Sequence, residues 1–359
     1  MQVSWEFLKF ENPTVMANNV LITAALLLIV HGCGSAVAKD TVLVDDLAYT
    51  HAQQLVEVEP GRRLNLYCTG KGAPTVIFDS GVTGETVGWA LVQPVIAART
   101  RACSYDRAGT GFSDPGTRTG TSANIVDDLH RLLAAAAIAP PYILVGHSYG
   151  GMNVRLYKDH YPAEVIGMVL VDPSHEEWVE RAWRLAPLQR PYEQRTADFE
   201  SMWLGERECV RAATVGLVKG SAAYEQCVAE PDGHLSNAIN AAYLKTHLSP
   251  AYQQAQLTED ENLHFISSDQ LRNARIWYGD MPLIVLAAGD RPKLRKGETQ
   301  EHHEAINRLY YTLFDELAAL SRRGVNRVVP NTGHDIPMTQ PGAVSSAIFE
   351  VMDAASKPE

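Results

Sequence analysis

The sequence predicts an α/β fold: a doubly wound, mostly parallel sheet interrupted by a block of helices. Three observations predict it. Short apolar runs of the buried-strand type alternate with segments of helical periodicity along most of the chain. Gly146-His147-Ser148-Tyr149-Gly150-Gly151 lies between one such run, Tyr142-Ile143-Leu144-Val145, and a helical segment read from Met152 to Tyr161. Residues 174–278 break the alternation, with no strand signal and with Trp178, Trp183, Trp203, Tyr224, Tyr243, Phe265 and Trp277 scattered among charged helical stretches.

Gln54–Val58 and Arg62–Cys68, joined through Pro60-Gly61, read as two amphipathic strands. Thr75-Val76-Ile77-Phe78 is a buried-type strand ending at Asp79-Ser80-Gly81, and Trp89 to Ala98 reads as a helix. Arg101–Tyr105 is the next strand, running into Asp106-Arg107-Ala108-Gly109-Thr110-Gly111. Ser122 to Ala137 has helical spacing, with Ile125, Leu129, Leu132 and Leu133 on one face. Val165–Val171 is a continuous apolar strand ending in Asp172-Pro173. After the helical block come the strand Leu283–Ala288, a helix around Glu298–Arg322, the strand Arg327-Val328-Val329 and a last helix from Pro341 to Ala355. This divides the chain into an N-terminal segment (1–38), a first core part (39–173), a helical insertion (174–278) and a second core part (279–359).

Composition fits a folded domain of this kind. Of 359 residues, 46% are hydrophobic and 20% charged, enough apolar material for a sizeable core. The net charge of -11 argues against nucleic acid and anionic membrane surfaces as main partners. Val20 to Val30 is apolar but too short to span a bilayer comfortably. With the following Ala36-Val37-Ala38-Lys39 it reads as a secretory signal cleaved after Ala38, giving a periplasmic or secreted protein with no stable membrane span. Cys33, in Val30-His31-Gly32-Cys33, offers a weaker lipoprotein alternative. Export permits disulfides. The four cysteines after Ala38 suggest the pairs Cys68–Cys103 and Cys209–Cys227.

The strand–Gly-x-Ser-x-Gly–helix order matters because a sharp strand-to-helix turn strains its central residue and holds the serine oxygen out at the sheet's edge. Together with Tyr105-Asp106-Arg107-Ala108-Gly109-Thr110-Gly111-Phe112-Ser113-Asp114 and Gly333-His334, it resembles the α/β-hydrolases. The subset in question is the esterase- and lipase-like superfamily with a helical cap between strands six and seven, and the resemblance covers residues 52 to 355. It implies a nucleophile at Ser148 and, by chain order, a base at His334. Two acids are open. Asp172 lies 172 − 148 = 24 residues after the serine, one strand–helix–strand step, at the same sheet edge. Asp290 ends the next core strand, the commoner acid position in the superfamily. However, it directly follows Gly289, where common members have two intervening residues, and it lies 334 − 290 = 44 residues before the histidine. The subset this chain most resembles, with its Leu170-Val171-Asp172-Pro173-Ser174-His175 segment, tends to lack an acid after the later strand, so the resemblance favours Asp172.

The resemblance places the oxyanion-hole donors at the Tyr149 and Val82 amides, with Ser80 standing where most relatives have histidine. His147 is expected to point away from the site and serve packing. Asp106 and Arg107 are expected to form an internal ion pair in a structural turn, because the turn lacks the Lys-Ser/Thr of a phosphate loop. His302 and His303 are expected on a solvated helix face rather than at a metal. No cofactor is expected. The function implied is hydrolysis of a small ester-like substrate by a serine carboxylesterase. Amide, peptide, lactone, C–C or cyanohydrin cleavage by the same triad, and a degenerate ligand-binding fold, are the alternatives. A serine nucleophile argues against dehalogenases and epoxide hydrolases, whose relatives use aspartate there.

Overall fold

The structure is a computed structural model that describes residues 43–185, 192–294 and 298–356. The expected signal segment, with Cys33 and Ala38, lies outside the described residues. The strands are β1 (Gln54–Glu59), β2 (Arg62–Thr69), β3 (Thr75–Asp79), β4 (Ala102–Tyr105), β5 (Tyr142–His147), β6 (Val165–Val171), β7 (Leu283–Ala288) and β8 (Gly324–Val329). They form one sheet in the order β1-β2-β4-β3-β5-β6-β7-β8. β2 runs antiparallel to β1 and to β4, and the remaining neighbours are parallel.

The central strands read as unbroken apolar runs because both faces of the sheet are covered. In β5, Ile143 and Val145 join Val169, Ile284, Ile96, Ile348 and Val351 on one face. Leu144 joins Met168, Leu170, Leu129, Leu132, Tyr157 and Phe314 on the other. The helices over the first face are α1 (Gln93–Ala97) and α12 (Pro341–Ala355). Those over the second include α2 (Ser122–Ala135), α3 (Tyr149–His160) and α10 (Gln300–Ala318). Each fully buried aliphatic side chain contributes about 1.5–3 kcal/mol. α2 starts at its Thr121 cap, whose hydroxyl accepts from the Asn124 amide.

Between β6 and β7 the described chain is helical: α4 (Trp178–Leu185), α5 (Tyr192–Val215), α6 (Ala222–Cys227), α7 (Asn237–His247), α8 (Pro250–Asn262), a π-turn at Leu263–Ser267 and α9 (Ser268–Ala274). A short α11 (Ile336–Thr339) follows β8. Cys68 and Cys103 are bonded across the register pair that joins β2 to β4, and Cys209 is bonded to Cys227 between α5 and α6. Among the described residues, no helix is long and apolar enough to cross a membrane.

Two elements depart from expectation. The segment read as one helix from Trp89 to Ala98 is a 3₁₀ turn at Thr86–Trp89 followed by the short α1. Pro94, in the first turn of α1, cannot donate a backbone bond, so the helix starts there rather than running through. β8 begins at Gly324, three residues before the expected Arg327, as an edge strand whose Val325 and Val328 remain exposed.

Candidate active site

β5 delivers the elbow. Ser148 adopts φ 52 and ψ −120, a left-handed conformation that costs a β-carbon-bearing residue about 1–3 kcal/mol and persists only under external constraint. The constraint is close packing of glycines. A Cβ on Gly146 would lie 2.4 Å from the Gly150 carbonyl oxygen, and one on Gly150 would lie 2.1 Å from that of Asp79. One on Gly151 would meet the Pro173 side chain at 2.5 Å. The backbone of Ser148 is also tied to the end of β6. Its amide donates to the Val171 carbonyl at 3.1 Å, and its carbonyl accepts from the Ser174 amide at 2.8 Å. α3 starts immediately after it, so the positive end of that helix lies beneath the serine.

The same β6 end carries Asp172, itself at φ 40 and fully buried. Its Oδ2 accepts from His334 Nδ1 at 2.6 Å and from the Tyr310 hydroxyl at 2.9 Å. Its Oδ1 accepts from the Ala288 amide at 2.9 Å, with Arg291 Nη1 3.7 Å away. Burial alone would raise this carboxyl. The His334 hydrogen bond and charge, the Arg291 charge and the Ala288 amide outweigh burial and hold it below the usual carboxylate range. Asp290 is exposed after β7, and its amide donates to the Thr332 carbonyl at 2.9 Å. The structure therefore brings together Asp172 and His334, and leaves Asp290 apart.

Gly81 passes directly over Ser148: a Cβ there would lie 3.3 Å from Ser148 Cβ and 3.7 Å from its Oγ. Val82 follows Gly81 in this loop, and Tyr149 opens α3 directly after Ser148. Ser80 donates to the Glu85 carbonyl at 3.0 Å, so it braces its own loop. The Tyr149 hydroxyl donates to the Gly120 carbonyl at 2.8 Å and meets Ser267 Oγ at 2.8 Å, a packing role.

Residues 76–347 match the alpha/beta hydrolase family. The chain belongs to that family. It is 22% identical over 287 residues to the uncharacterized protein YqjL of Bacillus subtilis, covering 80% of this chain and 86% of that one. Among solved structures it is similar to a haloalkane dehalogenase loop variant from Bradyrhizobium elkanii, with a TM-score of 0.60 at 15% identity over 85% of this chain and 96% of that one. It is also similar to a bromoperoxidase from Bacillus anthracis, with a TM-score of 0.56 at 14% identity over 84% and 99%. These structures differ in their named chemistry, so the likeness carries the hydrolase fold and not a substrate.

Three expectations are corrected in this alpha/beta hydrolase. Asp106 and Arg107 do not pair. Arg107 binds Asp79 at 2.7 Å and Glu259 at 2.8 Å, while the Asp106 carboxylate accepts from Thr86, Phe112 and Asn65. Adjacent residues leaving a strand point in opposite directions, so each finds its own partners. His147 does not point away from the site: its ring lies 4.7 Å from that of His334, and its Nε2–H donates to the His334 carbonyl at 2.9 Å. Burial, then the charge of His334, pushes its pKa down to about 3, so it stays neutral and holds the His334 backbone. His302 and His303 are largely covered and both meet Glu298, at 3.1 and 3.3 Å. No cluster suited to a metal occurs among the described residues.

Tyr310, Arg291 and Glu259 were not singled out from the sequence. Arg291 stacks 3.4 Å over the Tyr310 ring, and Trp178 meets that ring edge-on at 5.4 Å. Tyr310 sits mid-helix, where an aromatic residue reads as core. Only the Arg291 adjacent to Asp290 lay near a candidate.

Proposed function

We propose that this hydrolase is a serine carboxylesterase that works through an acyl-enzyme on Ser148. One observation carries the reading: a serine in strained backbone geometry stands at the sheet edge where His334 is hydrogen-bonded to a buried, ionised Asp172. Asp172 fixes the tautomer with hydrogen on Nδ1, leaving Nε2 bare to take the serine proton. Ser148 Oγ attacks the acyl carbonyl, and the oxyanion rests on the Val82 and Tyr149 amides. The imidazolium then returns its proton to the leaving alcohol. Water, giving its proton to His334, attacks the acyl carbonyl, and the imidazolium passes that proton to Ser148 Oγ as the Oγ–acyl bond breaks and the acid is released.

The helices between β6 and β7 act in this reading as a cap that selects a small-molecule substrate. The two disulfides suit an oxidising compartment, in keeping with export. A panel of short p-nitrophenyl esters, with fluorophosphonate labelling in parallel, tests the function. Wild type should turn over and label, and Ser148→Ala should do neither. Full esterase activity in Ser148→Ala would refute the assignment.

A further inference from the structure

The oxyanion loop is held by a charge that belongs to the cap. Glu259, on α8, reaches out of the helical insertion into the core. Its Oε2 accepts from the Thr83 amide at 2.6 Å and from Arg107 Nη2 at 2.8 Å, and its Oε1 accepts from Arg107 Nε at 2.8 Å. Arg107 uses its other face on the same loop. Nη1 donates to Asp79 Oδ1 at 2.7 Å and to the Ser80 carbonyl at 2.9 Å, and Nη2 donates to the Gly81 carbonyl. Arg107 and Glu259 side chains are each 3% exposed and that of Asp79 is 0% exposed.

The crossing is too tight for slack. A Cβ on Gly84 would lie 2.5 Å from Arg107 Nη1, and one on Gly120 would lie 2.7 Å from Glu259 Cγ. The carbonyls before Val82 and the amide after it are therefore all occupied, from Ser80 to Thr83. The Val82 amide sits between these anchored groups, one residue after the Gly81 that lies over Ser148.

We propose that Glu259 is a positioning residue for the oxyanion hole, so that seating the cap and setting the Val82 donor are one event. If α8 lifts, Thr83 loses its acceptor and Arg107 loses one of its two carboxylates, and the loop over Ser148 is released. A glutamine at 259 offers one acceptor oxygen where three donors converge, and turns its NH₂ either toward Arg107 Nε or toward the Thr83 amide and Arg107 Nη2. Catalysis then loses transition-state binding while ground-state binding is kept.

This inference rests on the serine mechanism proposed above. The experiment compares wild type, Glu259→Gln and Glu259→Asp for kcat, KM, thermal midpoint and inhibition by an alkylboronic acid, which forms a tetrahedral adduct on serine. Removing an oxyanion donor outright costs about 10²–10³ in kcat, so displacing one should cost about 10- to 100-fold in Glu259→Gln, with KM within about threefold. Boronate affinity should fall by a matching factor. Glu259→Asp keeps the charge but is too short for both partners, and should shift both quantities in the same direction by less. A folded Glu259→Gln with unchanged kcat and boronate affinity overturns the proposal. So does a kcat loss without a loss of boronate affinity in either variant. Failure of wild type to label with fluorophosphonate overturns the serine mechanism itself, and the clamp with it.

Discussion

Replacing Asp172 by asparagine should cost this hydrolase about 10⁴ in kcat, and the surrounding hydrogen bonds say why. An asparagine has one acceptor oxygen and one NH₂ group, and it can be placed two ways. With NH₂ at the Oδ1 position, it would face the Ala288 amide, now 2.9 Å from Oδ1, and the Arg291 guanidinium. A buried donor set against a buried donor costs about 1–3 kcal/mol. With NH₂ at the Oδ2 position, it faces the Tyr310 hydroxyl, which can rotate and accept, and His334 Nδ1, which can accept once its hydrogen moves to Nε2. The second arrangement is the cheaper, and it fixes the wrong tautomer: Nε2 then carries hydrogen and cannot take the serine proton. A 10⁴-fold loss corresponds to about 5 kcal/mol of barrier. Asp290→Asn is the paired control, because that side chain is exposed at the end of β7 and should change kcat by less than twofold, an estimate typical of surface substitutions. The assay is steady-state ester hydrolysis, with thermal midpoints to show that both variants fold. An Asp172→Asn enzyme within tenfold of wild type, or a large loss in Asp290→Asn, would refute the assignment of the acid.

Two further outcomes are expected. Tyr310→Phe removes one of the two donors to Oδ2 of the ionised Asp172, a charge-assisted hydrogen bond of about 1.5–3 kcal/mol, so kcat should fall about 10- to 100-fold with KM unchanged; an unaltered kcat would reduce Tyr310 to packing. In the helices between β6 and β7, burial and then the charge of Asp260 raise Glu206, while burial above all raises Asp260. Carboxyls raised in the fold contribute stability that is complete below their unfolded pKa, near 4, and lost as pH climbs through the raised values. Glu206→Gln should therefore melt increasingly above wild type as pH rises from 5 to 9, followed by thermal scans at each pH. A difference independent of pH would refute the pairing.

The strands were legible because a parallel sheet covered on both faces demands unbroken apolar runs. Val165–Val171 and Leu283–Ala288 carry such runs and form strands with those limits. The edge strand β8 was read short because its outer positions need not be apolar, and Val325 and Val328 are still exposed. The elbow was legible because it is local: three glycines within six residues admit a backbone crossing that any β-carbon would block. The choice between Asp172 and Asp290 was only half legible. Spacing along the chain can place a carboxylate at a sheet edge, but the direction it faces depends on a backbone turn, here the positive φ of Asp172.

The residues that sequence reading missed share one physical cause. Glu259 and Arg107 are 152 positions apart, and Tyr310 and Asp172 are 138 apart. No periodicity or motif links such distances. A glutamate in a helix that also carries three Gln, a second Glu and an Asp reads as solvated, because charge is rarely buried without a partner and the partner is invisible. Once buried, the pair becomes expensive to break: losing one member of a buried ion pair costs about 3–5 kcal/mol, whereas an exposed pair is worth about 1 kcal/mol or less. The Arg63–Asp114 pair, with 51% and 28% side-chain exposure, belongs to the second kind, and the Asp79–Arg107–Glu259 chain to the first. The difference makes the cap's seat on the core specific. An apolar face tolerates sliding, but a guanidinium forked between two buried carboxylates has one docked position, and that position sets the loop over Ser148.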